Sequence, residues 1–478
     1  MINQTSLNQL IRDAIEQALG EVPANAETLY KLGTSLYHMN QLQEALTCLL
    51  RYIGLQPGNC EAYNLIGNIY AKVNQLDKAC SYLKQAIQIN PAYAEAYNNL
   101  GGVYYQANQL EMAEQILPEA ICLRPNFYEA YKNLGTVYSK MNRLKEAEQV
   151  LLQAIELKPD YADAIFTLSL VELLTEKFTQ GWKNYEYRPS LINRKQPDIP
   201  RWQGEDLSGR SILLYHEQGL GDTLQFIRYA WQVAALGAKT TVWIQTPLAQ
   251  LEFQGSPAFS LYEGTDSPPE IFDFACPLLS LPLIFSTDAA TIPQYSSYIR
   301  ADANLVQKWR EHLKGIHDTG LLKVGVAWAG NHTHTDDHNR SIAFDTFQLL
   351  FLLTGLEWIS LQVGPKAEEV NCCPSQIRDV SVLLTNFAET AAVIDNLDLV
   401  ITVDTSVAHL AGAMGKEVWA LLSSMPDWRW MLEREDTPWY PSMRLFRQRE
   451  RGNWVEVLAR VKAALQQKMA KHNFSRHY

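Results

Sequence analysis

The stretch Gly101-Gly-Val-Tyr-Tyr-Gln-Ala-Asn108-Gln-Leu110-Glu-Met-Ala113, closed by Pro125, decides the first part of the fold because its pattern recurs at a constant interval. Glycines stand at 33, 67, 101 and 135, and prolines at 57, 91, 125 and 159. Alanines fall at 45, 79, 113 and 147, asparagines at 40, 74, 108 and 142, and leucines at 42, 76, 110 and 144. A fixed period of about 34 residues means stacked supersecondary units. Glycine inside a helix costs about 1 kcal/mol against alanine, so its recurrence marks a close helix–helix approach, with the alanine column as the expected opposing surface. The asparagine column fits a left-handed residue that ends one helix, and the proline column stops the second helix before the next unit. Two antiparallel helices per unit follow.

These columns resemble the tetratricopeptide repeat. The resemblance covers residues 26 to 161 in four units, with a degenerate fifth from Ala162 to about Arg188, where Ser169 replaces the glycine and Gly181 the alanine. A terminal cap tolerates such changes. Residues 1–25 read as a leading amphipathic helix with Ile11, Ile15, Ala18 and Leu19 on one face. The family implies a groove that binds peptides or proteins. In O-linked N-acetylglucosamine transferases asparagines line it. Asn99 and Asn133 occupy the matching column here, where Leu65 and Lys31 do not, and Asn68 is a further groove candidate.

Composition sets the outer limits. The 478 residues carry 41 Lys+Arg against 52 Asp+Glu, and neither the part up to Gly181 (13 basic, 19 acidic) nor the remainder is basic. That argues against nucleic acid as a partner. The most apolar run, Phe274 to Phe285, holds two prolines and is too short for a span of about 20 residues. The start of the chain shows no secretory signal. Seven scattered cysteines without C-x-x-C fit neutral thiols in a reducing cytoplasm.

All twelve tryptophans lie after Gly181, and Pro189 to Pro200 carries three prolines and reads as a linker. Beyond it, short β-rich apolar runs alternate with helical segments, the pattern of α/β domains with parallel sheets. Strands are predicted at Ser211 to Tyr215, Thr240 to Gln245, Lys323 to Trp328, Glu357 to Val363, Leu399 to Val403 and Val418 to Leu422. Two doubly wound blocks, joined around residues 300 to 320, would hold a ligand at the carboxyl ends of their strands.

Two segments follow predicted strands and open helices. Gly219-Leu-Gly221-Asp222-Thr223 is not a dinucleotide fingerprint, because Leu224 fills the third glycine position. Asp222 either caps the helix or serves as a general base, with Glu217 the alternative base. In Asp398-Leu-Val-Ile-Thr-Val-Asp404-Thr405-Ser406-Val-Ala-His409-Leu-Ala-Gly412-Ala-Met-Gly415, free N–H groups and two hydroxyls at a helix start suit a diphosphate. Thr405 and His409, four apart, share a helix face. The loop Ala329 to Ser341 holds three histidines and two aspartates, but no distant cluster completes a metal site.

Asp404-Thr405-Ser406-Val-Ala-His409-Leu resembles the donor-binding motif of bacterial heptosyltransferases and related GT-B glycosyltransferases, and Gly219-x-Gly221-Asp222 resembles their glycine-rich loop. Gly181-Trp182 to Arg188, Asp427-Trp-Arg-Trp430, Pro438-Trp-Tyr-Pro441 and Arg444 to Gln448 resemble segments of bacterial proteins that join tetratricopeptide repeats to such a domain. The resemblance implies an α-solenoid (1–188), a linker (189–210), an acceptor-side Rossmann-like block (211–315) and a donor-side block (316–478) ending in a helix. It implies metal-independent sugar transfer without a cofactor, from a nucleotide-diphosphate sugar to a protein or glycan hydroxyl. Asp222 would be the base. Gly219, Gly221, Asn331, Arg340, Asp404, Thr405, Ser406 and His409 would bind the donor. No D-x-D motif, the cation holder of the other large glycosyltransferase fold, occurs. Related chains often carry aspartate where Glu389 stands, a departure that bears on the donor site. The alternative is a non-catalytic interaction scaffold with a degenerate transferase domain.

Overall fold

The computed structural model describes residues 25–476 apart from 194–195, 255–257, 267, 269, 315–319, 335 and 374. The leading helix expected over residues 1–25 lies outside the described residues. The chain forms two compact units, Met1–Val171 and Glu172–Tyr478.

The first unit repeats as its sequence does. First helices start at Ala26, Cys60, Ala94, Tyr128 and Ala162, and second helices at Leu42, Leu76, Leu110 and Leu144. Both series keep the period of the sequence columns. Asn40, Asn74, Asn108 and Asn142 all turn left-handed, at φ of 58 to 60°, and Glu176 does the same at 61° in the fifth unit. A Cβ on Gly33, Gly67, Gly101 or Gly135 would lie 2.5–2.7 Å from the side chain of Leu49, Leu83, Leu117 or Leu151. That leucine column, more than the alanines, is the opposing surface. The alanines at 45, 79, 113 and 147 are fully buried beside it. Leucine's branched end fills the notch that a missing Cβ leaves, which alanine is too short to do.

The solenoid ends earlier than the sequence reading placed it. Residues 172–188, expected as its cap, pack with the second unit. Trp182 is buried and donates its indole N–H to the Thr287 carbonyl (2.7 Å). The proline-rich stretch after it is no free linker either: Leu191 and Trp202 are buried, and Trp202 N–H donates to the Ala275 carbonyl (2.9 Å). Bulky aromatics bury more apolar area here than a solvated tether could.

Among the described residues of the second unit, twelve strands run in chain order: β1 (Ser211–Tyr215), β2 (Lys239–Ile244), β3 (Glu252–Phe253), β4 (Ser260–Glu263), β5 (Phe274–Pro277), β6 (Ile299–Arg300), β7 (Leu322–Ala327), β8 (Leu356–Ser360), β9 (Arg378–Asp379), β10 (Leu399–Val403), β11 (Val418–Leu422) and β12 (Met443–Arg447). β3 and β6 make a small antiparallel pair. The first block is a parallel sheet ordered β4-β2-β1-β5. The second is a parallel sheet ordered β12-β11-β10-β7-β8-β9. Numbered within its own block, the second sheet reads 6-5-4-1-2-3, the order of a dinucleotide-type doubly wound fold. β10 and β11 are buried throughout, as central parallel strands covered on both faces must be. The second core gathers Trp328, Phe344, Phe347, Phe351 and Trp358 with Val457, Val461 and Leu465 of the last helix, Trp454–Arg476. This is the α/β architecture that the GT-B resemblance implied.

Candidate active site

In such sheets a ligand sits where strand order reverses, outside the strand carboxyl ends. In the first block that point lies between β1 and β5. In the second it lies between β7 and β10. The loops leaving β1, β7 and β10 are those quoted above, so topology brings each sequence motif to a switch point.

After β1 the chain enters the helix Leu220–Phe226. Gly219 N–H donates to Asp222 Oδ2 (2.9 Å), so this carboxylate does close its own helix turn. A Cβ on Gly221 would stand 2.8 Å from His409 Cδ2, and glycine alone lets the two blocks touch here. Asp222 Oδ1 accepts from Arg429 Nη2. Burial pushes the Asp222 carboxyl above the usual carboxylate range, Arg429 opposes the rise, and the Asp427 carboxylate adds to it.

Arg429 ties the cluster together. Its Nε donates to Gln225 Oε1 (2.8 Å), its Nη1 donates to Asp427 Oδ1 (2.9 Å), and the guanidinium lies 4.4 Å from the Trp428 ring centroid. Burial works against both charges, yet Arg429 still holds Asp427 below its ordinary range. In the sequence, Asp427-Trp-Arg-Trp430 stands out only by its resemblance to segments of repeat-fused transferases. Its two charges between large aromatics were the available signal.

Glu217, the alternative base, is committed elsewhere. Its Oε1 accepts from Arg188 Nε, and both side chains are fully buried. Arg188 also donates to the Tyr185 carbonyl (3.1 Å), Glu186 Oε1 (2.8 Å) and Ser280 Oγ (2.7 Å). Both carboxylates pair with an arginine, but the Glu217 side chain is fully enclosed while that of Asp222 keeps 18% of its surface exposed, so the geometry favours Asp222.

In the second block β10 ends at Val403. Thr405 Oγ1 pairs with Thr402 Oγ1 (3.0 Å), and no side chain caps the helix Ser406–Ala413. Its first amide N–H groups therefore stay open to an anion, beside the Ser406 hydroxyl. Asp404 is pushed up to about 6, by burial first and then by the Asp427 carboxylate, while Trp430 and Arg340 oppose the rise. Arg340 arrives on the loop after β7. Its Nε donates to Asp337 Oδ1 (3.3 Å), and its Nη groups have no hydrogen-bond partner among the described residues. A Cβ on Gly330 would lie 2.6 Å from Arg340 Nη2, so that glycine makes room for the guanidinium.

Three residues have partners that the sequence did not show. His409 Nδ1 pairs with the Tyr440 hydroxyl (2.9 Å), its ring stacks on Trp430 (5.3 Å), and burial pushes it down to about 3. It is a neutral imidazole wedged between the blocks. Asn331 is exposed, with its Oδ1 accepting from Thr333 N–H (3.1 Å), so it shapes its own turn. Glu389 does not organise the donor site. It accepts from the Trp309 indole (2.5 Å) and Lys308 (3.1 Å), and so anchors the connecting helix Ala303–Leu313.

In the first unit, Asn99 Nδ2 donates to Asn64 Oδ1 and Asn133 Nδ2 to Asn98 Oδ1, both at 2.8 Å. The expected groove asparagines thus bond to the preceding repeat through Asn64 and Asn98, a column that sequence reading passed over. Asn68 is half-buried and joins neither pair. Among the described residues, no three His, Cys, Asp or Glu side chains converge as metal ligands. No described helix is long and apolar enough to cross a membrane.

Fold and site define a tetratricopeptide-repeat array followed by a doubly wound α/β domain of the GT-B kind. Comparison with known proteins gives the same two parts. Residues 359–456 match glycosyltransferase family 9 (heptosyltransferase), a span that includes Asp404, Thr405, Ser406, His409, Asp427 and Arg429. Residues 26–59, 67–108, 94–124 and 128–161 match tetratricopeptide-repeat families. Protein FlbA of Caulobacter vibrioides is 26% identical over 328 residues, which is 63% of this chain and 54% of that protein. The chain therefore spans about half the length of this curated relative. Among solved structures, MamA is 27% identical, covering 33% of this chain and 92% of that one, at a TM-score of 0.30. A thermophilic tetratricopeptide-repeat protein of Thermus thermophilus is 21% identical, covering 36% of this chain and 93% of that one, at a TM-score of 0.32.

Proposed function

We propose that the chain is a glycosyltransferase that moves a sugar from a nucleotide-diphosphate sugar to an acceptor hydroxyl. The observation that carries this reading is the uncapped N-terminus of Ser406–Ala413 at the switch point between β7 and β10, within electrostatic reach of the Arg340 Nη groups, which have no hydrogen-bond partner among the described residues. Open amides, the hydroxyls of Thr405 and Ser406, and a guanidinium that can bind two oxygens suit a departing diphosphate. The neutral His409 contributes shape and an N–H. Asp404 sets the turn.

In the reaction, the acceptor oxygen bonds to the anomeric carbon as the bond from that carbon to the diphosphate breaks. The acceptor proton passes to Asp222, and the diphosphate leaves carrying its electron pair, with inversion at the carbon. No resident cofactor or metal is required, because the nucleotide sugar is a co-substrate and protein groups meet the leaving charge. The repeats recruit the acceptor or partner protein, and the seven free thiols agree with a reducing cytoplasm.

Asp222→Asn tests the base. General-base catalysis contributes about 10²–10⁴-fold, so turnover measured as donor consumption should fall by that factor while nucleotide affinity holds. Turnover within about tenfold of the parent would remove Asp222 from this role.

A further inference from the structure

The Asp222 carboxylate is not held by its own helix alone. Its two oxygens are gripped from two directions, Oδ2 by Gly219 N–H and Oδ1 by Arg429 Nη2. Arg429 belongs to the other block, and every arm of its guanidinium is used. Nε goes to Gln225, on the same helix as Asp222, and Nη1 goes to Asp427. Asp427 Oδ1 also accepts the Arg429 backbone N–H (3.0 Å), which fixes the short turn Trp428–Trp430. The guanidinium carbon lies 4.4 Å from the Trp428 centroid and 5.6 Å from that of Phe226, two rings that are themselves neighbours at 6.3 Å. Trp428 in turn packs edge-on against Trp182 (5.1 Å) and Tyr185 (5.8 Å). So anchored, Arg429 has few rotamers to lose. A carboxylate that accepts from it is fixed as well, while about half of its lone-pair sites stay free.

We propose that Arg429 is the positioning residue of the active site, a bridge from Asp427 to Asp222 that holds the base in one rotamer across the boundary between the blocks. The inference rests on the reading of Asp222 as the base. It adds a requirement: the first block presents its base correctly only when the second block's Asp427–Arg429 turn is docked on it.

The titratable and charged groups around Asp222 are Arg429 and Asp427 from that turn, His334 from the loop after β7, Glu217 from the loop after β1, and Tyr185 from the helix Phe178–Tyr185. Arg429 is the cation that opposes burial's pull toward the neutral acid. Without it, Asp222 should bind its proton more tightly, and the acid limb of activity should move to higher pH.

The test uses the full chain labelled with 13C at aspartate side-chain carboxyls, with Asp222→Asn to assign the Asp222 signal. In Arg429→Gln the Asp222 titration midpoint should rise by about one to three pH units, since a nearby opposite charge lowers a carboxyl by that much. Arg429→Lys, which keeps a charge in place, should stay closer to the parent, and Arg429→Met, which removes the charge but keeps an apolar stem, should shift as the glutamine variant does and covers the case where that variant fails to fold. The acid limb of donor turnover should move with the midpoint. General destabilisation would lower the rate without moving that limb. An unshifted midpoint in a folded variant that lacks the charge overturns the proposal. Failure of the base reading looks different: the midpoint moves as stated, but Asp222→Asn keeps its turnover.

Discussion

His409 and Asp404 show how one site drives two neighbouring groups in opposite directions. Burial depresses the imidazole to about 3 and lifts the carboxyl to about 6. The sign of each contribution to stability follows by linkage. His409 stays neutral in the fold while the unfolded chain takes up a proton below about 6.5, so stability is lost as pH falls from there toward 3, by about 1.4 kcal/mol per pH unit. Asp404 does the reverse. Its folded form binds the proton first, so stability is gained as pH falls from about 6 toward 3.8. Between pH 6 and 4 the two slopes offset each other. In Asp404→Asn that offset is gone, and acid destabilisation should begin near pH 6.5 with the slope of one proton. Tryptophan fluorescence in urea titrations reads this in the second unit alone, because all twelve tryptophans lie after Gly181. A parent and a variant with the same pH dependence would contradict the account. The sequence placed His409 on the right helix face. It could not show that Tyr440 and Trp430, well beyond it along the chain, would enclose the ring and keep it neutral.

Elements that rest on local chemistry were legible. The repeat columns fixed helix starts and turn residues, because each depends on backbone geometry within one repeat. Asn74 is an example, at φ 58° between two helices. Asn74→Ala should cost about 1–2 kcal/mol, the penalty of a left-handed Cβ residue, while Asn74→Gly should cost much less. Thermal unfolding of the repeats followed by far-ultraviolet circular dichroism checks the order; equal losses would mean that the side chain, not the dihedral, matters there. Strands β1, β10 and β11 also matched their predicted ends, since a continuous apolar run between polar loops leaves little choice. The two-residue strands β3, β6 and β9 were missed, and so were β4, β5 and β12. β4 is an exposed edge strand without a clear alternation, and β5 opens an apolar run that continues into helical turns. β12 owes its place to pairing with β11. The cap helix Phe178–Tyr185 was seen as a helix but assigned to the wrong unit, because its partners Thr287 and Trp428 lie far along the chain.

At the scale of the molecule, the two sheets of the second unit are read by one topological rule, and the rule selects the loops that carry the chemistry. Both blocks place a helix start at a reversal of strand order. Gly221 against His409, Arg429 on Asp222, and Arg228 donating to the Trp439 carbonyl (2.7 Å) then fasten the blocks at those helices. The buried Arg228 also donates to Tyr298 (3.0 Å), so this joint is built from hydrogen bonds and aromatic faces without a carboxylate partner for that arginine among the described residues. The arrangement leaves the amide end of Ser406–Ala413 and the Nη end of Arg340 as positive features beside the switch point. The central claim, a donor diphosphate site at that point, is tested most directly by calorimetric titration of the full chain with UDP, GDP, ADP and the thymidine diphosphate, repeated on Arg340→Ala. The account predicts that one nucleotide binds and that the variant binds it about ten- to a hundredfold more weakly, the loss of one charged hydrogen-bonding group. No binding by any of the four, or equal binding by the variant, would contradict it and favour an interaction scaffold instead.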